Sequence, residues 1–96
     1  MFEIEFNNSG YVAVRGRLDA AHAPRAQEFL DRIAEACVID LENLEYISSA
    51  GLGVLLKTHK RLTEISQGLK LVNVNSHVND IFCYSGFDRL FEIETL

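Results

Sequence analysis

The stretch Val38-Ile39-Asp40-Leu41-Glu42-Asn43-Leu44-Glu45-Tyr46-Ile47-Ser48-Ser49-Ala50-Gly51-Leu52-Gly53-Val54-Leu55-Leu56 constrains the fold more than any other part of the chain. An apolar strand pattern ends in an acidic turn, and two adjacent serines then open a helical pattern carrying Gly51 and Gly53. A glycine inside a helix costs about 1 kcal/mol relative to alanine, so two in the first turn are not there for local stability. They imply close backbone access to Ser48 and Ser49. A hydroxyl at a helix N-terminus sits among unpaired N–H groups at the positive end of the helix dipole, where a phosphate is well received. The segment reads as a phosphorylatable docking surface and not as a catalytic centre.

The remaining patterns supply the frame around it. Phe2, Ile4 and Phe6 alternate with Glu3, Glu5 and Asn7, the period-2 mark of a half-buried strand. Asn7-Asn8-Ser9-Gly10 reads as a turn and Tyr11 to Val14 as a second strand, so the chain opens with a hairpin. Pro24 suits a first helical turn, and Ala26, Phe29, Leu30, Ile33 and Ala34 follow the spacing of a one-sided helix. Cys37-Val38-Ile39-Asp40-Leu41, nearly continuous in apolar residues and flanked by helices, predicts a central strand covered on both faces.

A second helix is expected from about Ser49, presenting Leu52, Leu55, Leu56, Leu62 and Ile65, with Gly68 as its left-handed cap. Leu69 to Val74 is the next strand. Ser76 is the expected N-cap of a short third helix that Gly86 terminates, and Leu90-Phe91-Glu92-Ile93 is a last short strand. The order β-β-α-β-α-β-α-β describes one α/β domain over residues 1–96, with a mostly parallel sheet and helices packed on it.

Composition narrows the function classes. Apolar residues make up 48% of the chain, ordinary for a globular fold and too high for disorder. The net charge of −5 argues against nucleic-acid binding, which needs a basic face. No apolar run reaches the ~20 residues of a membrane span, and Met1-Phe2-Glu3 opens directly into strand pattern with no signal peptide. Cys37, in an expected buried strand, and Cys83, in an expected helix, lack CxxC spacing and read as two free buried thiols in the reducing cytoplasm. His22, His59 and His77 share no ligand spacing, so neither a metal nor another cofactor is expected.

The run Ile39-Asp40-Leu41 through Tyr46-Ile47-Ser48-Ser49-Ala50-Gly51-Leu52-Gly53-Val54-Leu55-Leu56 resembles the STAS domain of bacterial anti-anti-sigma factors. Gly16-Arg17-Leu18-Asp19 before the first helix is similar to the Gly-x-Leu-Asp turn of that family, and the element order agrees over nearly the whole chain. The resemblance implies an anti-sigma factor antagonist. Its unmodified form binds a partner that is both anti-sigma factor and serine kinase, phosphorylation at the second helix start releases that partner, and a serine phosphatase restores the protein. Aligned on Gly51, the acceptor position falls on Ser49, with Ser48 as the alternative because the position before the acceptor is often Asp. The implied partner-binding set is Asp19, Ser48, Ser49, Ala50, Gly51, Leu52 and Gly53. Many members continue into a further helix where this chain stops at Leu96, leaving apolar surface for self-association as a homodimer or for a partner.

Blander roles stand beside these. Either serine can be a plain N-cap, worth about 1 kcal/mol, and one can cap while the other takes phosphate. Asp19 can initiate the turn before the first helix, and Asp40 can either end its strand as a solvated carboxylate or fix the loop leading to Ser48. No Gly-x-Ser-x-Gly elbow or P-loop is present, and Leu56 stands where a dinucleotide-binding pattern needs its third glycine, so an enzyme is not expected. The rival readings are a STAS subunit of a membrane transport complex, docking on an ATPase without phosphorylation, and a small-molecule sensor.

Overall fold

Alternation in Phe2-Glu3-Ile4-Glu5-Phe6 and the left-handed Gly10 at the end of its turn build an antiparallel hairpin of β1 (Phe2–Phe6) and β2 (Val12–Leu18). The chain continues through α1 (Ala23–Leu30), β3 (Cys37–Asp40), β4 (Leu44–Ile47), α2 (Ser49–Glu64), β5 (Leu69–Val74), α3 (Ser76–Ser85), a 3-10 turn (Phe87–Arg89) and β6 (Glu92–Thr95). This is a computed structural model that describes residues 1–96.

The six-stranded sheet runs β1-β2-β3-β5-β6, with β4 pairing separately on β2. Every pair except β1/β2 is parallel. From β2 the path steps to β3, β5 and β6 always in the same direction. Right-handed crossovers taken always in one direction put every connecting helix on the same face of the sheet. Burial agrees: Val12, Val14, Cys37, Ile39, Leu69, Leu71 and Val74 share one apolar cluster with Ala26 and Leu30 of α1, Leu52, Leu55 and Leu62 of α2, and Val78 and Phe82 of α3. The opposite face carries charge: Arg15 pairs with Glu5 at 2.7 Å and with Glu3 at 3.7 Å, and Lys70 with Glu94 at 2.6 Å.

The expectation that β3 is covered on both faces is therefore corrected. Val38 and Asp40 stand half-exposed on the bare face, while Cys37 and Ile39 point into the core. β4 is an additional element, falling where the sequence pattern predicts only an acidic turn. Its four residues show no clean alternation, because Leu44 and Ile47 are both buried while Tyr46 between them is half-buried. Asp40 combines its two expected roles: it ends β3 as a half-exposed carboxylate and fixes the turn into β4 by accepting from the Glu42 amide at 2.9 Å.

Helix ends follow the sequence in part. Pro24 sits in the first turn of α1 and Gly86, at φ 78°, ends α3, both as expected. α2 ends earlier than expected: Ser66, not Gly68, takes the left-handed conformation at φ 60°. The amides of Gln67 and Ser66 return to the carbonyls of Leu62 (2.8 Å) and Thr63 (3.0 Å), the paired bonds of a Schellman cap. Asn75, not Ser76, caps α3; its Oδ1 accepts from the Val78 amide at 2.9 Å and its Nδ2 donates to the Leu44 carbonyl at 2.9 Å, tying α3 to β4.

The cysteines are both free, but only Cys37 is buried; Cys83 lies on the outer side of α3, against expectation. Burial pushes the Cys37 thiol up to about 11, against a weaker pull from the Arg61 charge. At pH 8 a group of that pKa is thiolate only on the order of 10⁻³ of the time. A thiol reagent added to native protein at pH 8 is therefore expected to modify Cys83 alone, with Cys37 reacting only in denaturant. Two equivalents consumed at once would show that the β3 end of the core opens readily. The stability gained by keeping this thiol neutral is present below its unperturbed pKa of 9.0 and is lost as pH rises through about 11.

Candidate functional site

Parallel pairing of Leu18 with Ile47 sets the last residues of β2 and β4 side by side, so the chain leaves both strands at one end of the sheet. Leaving β2 it enters the Asp19 turn; leaving β4 it enters Ser48 and then α2. A single carbonyl joins the two exits: Leu18 O accepts from the Ser48 amide at 3.0 Å and from Ser48 Oγ at 3.4 Å. Ser48 Oγ also accepts from the Gly51 amide at 3.3 Å, and Ser48 O accepts from the Leu52 amide at 2.8 Å, so Ser48 is the N-cap of α2.

Ser49 is the first residue of α2, exposed, with its hydroxyl in no hydrogen bond to the rest of the chain. The Ser49 and Ala50 amides have no acceptor within the protein either, and no acidic residue lies in the first turn. The helix N-terminus here offers open N–H donors and an unopposed positive dipole, which favour a negatively charged group.

The two glycines play different parts. Gly51 is buried against β2 and β4: a Cβ there would stand 2.6 Å from Leu18 O and 2.8 Å from Ile47 Cγ1 and Leu18 Cγ. It lets α2 approach the strand ends, so it supports the site from beneath. Gly53 meets nothing within 4 Å and leaves the helix surface open. Leu52, a member of the implied docking set, is 8% exposed and belongs to the core cluster, so it backs the surface from within. Of the implied docking set, Ser49 and Ala50 are exposed, Asp19, Ser48 and Gly53 are half-buried, and Gly51 and Leu52 point inward.

A groove of about 430 Å³ runs between α1 and α2 beside Ser49, floored by Ala20, Ala23, Ala50, Gly53 and Val54 and edged by Lys57. Small side chains on both helices keep it shallow and open. Sequence periodicity shows these small residues but not that two helices line them up.

Gly16-Arg17-Leu18 belongs to β2 and not to a turn; the turn begins at Asp19. Gly16 is at φ 84°, beside the register shift between β2 and β4, and the Met1 carbonyl occupies the place a Cβ would need. Asp19 Oδ1 accepts from the Ala21 amide at 3.1 Å and the His22 amide at 3.2 Å, and pairs with His22 Nδ1 at 2.8 Å. Partial burial pushes the Asp19 carboxyl up, but the His22 amide, the His22 charge and side chain, and the Ala21 amide together outweigh it, leaving the pKa below the ordinary value. His22, which in sequence shows only a lack of ligand spacing, is brought to Asp19 by the fold of this turn.

No group of His, Cys, Asp or Glu side chains is gathered where a metal ion could be held. Neither Ser48 nor Ser49 has a side-chain base among its hydrogen-bond partners. No helix is long and apolar enough to cross a membrane.

A small α/β domain with its sheet covered on one face, presenting a capped serine pair at the start of its longest helix, is the class these features define. The chain belongs to the STAS domain family, whose model matches residues 3–95. Among its relatives, BtrV of Bordetella bronchiseptica, named as a candidate anti-sigma factor antagonist, is 34% identical over 84 residues, covering 83% of this chain and 72% of that protein. The anti-sigma-B factor antagonist of Listeria monocytogenes is 30% identical over 89 residues, covering 88% of this chain and 78% of that protein. In fold, the chain resembles the crystal structure of an anti-sigma factor antagonist from Mycobacterium paratuberculosis, with a TM-score of 0.82 at 24% identity over 100% of this chain and 86% of that one. The phosphorylated form of the Bacillus cell fate determinant SpoIIAA matches with a TM-score of 0.69 at 20% identity, over 99% of this chain and 92% of that one.

Proposed function

We propose that this chain is a cytoplasmic anti-sigma factor antagonist switched by phosphorylation at Ser49. In this reading the unmodified protein sequesters an anti-sigma factor that is also a serine kinase, and so regulates transcription. That kinase transfers phosphate to Ser49 and is released, and a serine phosphatase restores the protein. The observation that carries the reading is the division of labour within the serine pair. Ser48 Oγ is engaged with Leu18 O and the Gly51 amide, whereas the adjacent Ser49 hydroxyl is exposed and unengaged. The relatives named as anti-sigma factor antagonists supply the partner class.

Phosphate brings about −1.5 to −2 charges at neutral pH. On a chain of net charge −5 it repels acidic partner surface and adds bulk to a close contact. The helix dipole favours it locally by about 0.3–1 kcal/mol, so the switch acts at the interface and leaves the fold intact. The test is incubation with ATP and the kinase-type anti-sigma factor of the same genome, followed by phosphopeptide mapping. Ser49→Ala is expected to abolish modification. Ser48→Ala is expected to retain most of it while losing about 1 kcal/mol of stability as a missing cap. The phosphorylated protein is expected to melt within a few degrees of the unmodified one and to bind its kinase at least about tenfold more weakly, roughly 1.4 kcal/mol. Phosphate mapped to Ser48, or undiminished binding after modification, would sink the proposal; a chain that binds an ATPase and stays unmodified would be a transport subunit.

A further inference from the structure

The β2 end is held from two sides. Ser48 grips the Leu18 carbonyl, as described, while His22 reaches back from the start of α1 to the carbonyl one residue earlier, with Nδ1 3.0 Å from Arg17 O. A carbonyl oxygen only accepts, so Nδ1 carries the proton. The same N–H is shared with Asp19 Oδ1 at 2.8 Å, and no donor of this chain engages the second carboxylate oxygen of Asp19. The imidazole lies flat on the Phe2 ring, with centroids 5.1 Å apart and planes 15° apart, which fixes its orientation. His22 stands at the N-cap position of α1 yet makes no side-chain cap bond, so its polar atom serves the turn and not the helix. The Asp19 side chain is 30% exposed and its turn lies beside the start of α2.

From this juxtaposition we infer that His22 is a positioning residue for partner docking. Its Nδ1–H, braced by Phe2 and by Arg17 O, bonds one oxygen of Asp19 so that the carboxylate is oriented, its other oxygen left for a cationic group of the partner. This rests on the proposed docking of a kinase-type anti-sigma factor at the Ser49 end, and adds to it a residue outside the implied docking set. His22 acts through Asp19 and touches neither Ser49 nor the phosphate. The Ala21 and His22 amides already tie Oδ1 into the turn, and the imidazole N–H adds a side-chain donor to that same oxygen, narrowing the carboxylate's remaining rotation before docking.

Two substitutions separate the hydrogen bond from the stacking. His22→Asn puts an amide N–H close to where Nδ1 stands, and His22→Phe keeps the stack on Phe2 but removes the donor. The first measurement needs no partner: imidazole ¹⁵N NMR of the protein at pH 8 is expected to show His22 as the Nδ1–H tautomer. An Nε2–H tautomer would overturn the inference whatever the fate of the Ser49 switch. The second uses the purified kinase-type anti-sigma factor that modifies the wild-type chain. His22→Phe is expected to weaken binding about tenfold with a melting temperature within a few degrees, and His22→Asn to stay within about threefold of wild type. Asp19→Asn is expected to lose as much as His22→Phe, with the double variant no worse than either, because both remove the same oriented carboxylate. Wild-type binding by His22→Phe, or losses that add in full in the double variant, would overturn it. A protein whose Ser49 is not modified at all would instead strike at the switch, leaving the NMR result to judge the His22–Asp19 link.

Discussion

Gly51→Ala is expected to destabilise the domain by about 2 kcal/mol, while Gly53→Ala, two residues along the same helix, stabilises it by about 0.5–1 kcal/mol. Both changes add one methyl group to a helical glycine, and both gain the same helix propensity. They differ in what the methyl meets: at Gly51 it is driven to 2.6 Å from the Leu18 carbonyl and 2.8 Å from two side-chain carbons, whereas at Gly53 it enters open space. A backbone carbonyl cannot swing aside as the tip of a long side chain can, and this one also accepts from Ser48. Relieving the clash therefore displaces α2 from the β2 end and strains the capping bond together with the packing. For a domain of this size 1 kcal/mol moves the melting temperature by about 4–8 °C, so the two variants should part by at least ~10 °C in thermal unfolding followed by circular dichroism. Equal melting temperatures would mean that Gly51 is not a close-approach residue. Gly53 enlarged beyond alanine is expected to weaken partner binding more than folding, since nothing in the chain occupies its space.

Arg61→Met is expected to cost about 2–4 kcal/mol, because two charge-assisted hydrogen bonds to backbone carbonyls at and just beyond the end of α1 are lost together. Arg61, in the last turn of α2, spans the end of α1: Nη1 donates to Ile33 O at 2.7 Å and Nη2 to Leu30 O at 2.8 Å. The positive charge also faces the negative end of the α1 dipole. Methionine retains the apolar stem, so the loss reports the hydrogen bonds and charge and not the packing. Arg61→Lys is expected to recover less than half, since one ammonium cannot reach two carbonyls in the fork geometry of a guanidinium. Denaturant unfolding at neutral pH measures both variants. A loss under about 1 kcal/mol for Arg61→Met would mean that water serves the α1 end as well as Arg61 does. Because α1 and α2 form the two walls of the groove beside Ser49, this variant is also expected to loosen the candidate docking surface.

Much of the site was legible because its signals are local. The serine pair before an apolar helical pattern marks a helix start, and the structure places that start at Ser49. Pro24 and Gly86 mark a helix beginning and end through their own backbone preferences. Where two local candidates compete, the sequence is weaker. Gly68 was the expected cap, yet the Schellman bonds from Gln67 and Ser66 form where α2 runs out of inward-facing residues, and Ser66 accepts the left-handed conformation.

The remainder depends on the order in which the strands pair, and no periodicity encodes that. The apolar run of β3 suggested a two-sided strand; adding strands always in one direction with right-handed crossovers left one face bare, so Val38 and Asp40 meet solvent. β4 exists because β2 outruns β3: it pairs with β3 through Val12 and Ala13 and with β4 from Gly16 to Leu18, in a ladder whose register shifts between Gly16 and Arg17. Leu44-Glu45-Tyr46-Ile47 alone carries too little alternation to reveal it. Taken by itself, the chain determined its element types, the serine pair at a helix start and the family, because hydrophobic period, turn chemistry and short motifs are written in neighbouring residues. Only the tertiary structure decided which serine caps and which stands exposed, that Gly51 packs while Gly53 does not, and that His22 holds Asp19. The first two depend on Leu18 meeting the start of α2, residues far apart in sequence; the His22–Asp19 contact is local, but its imidazole is placed by stacking on Phe2 of β1.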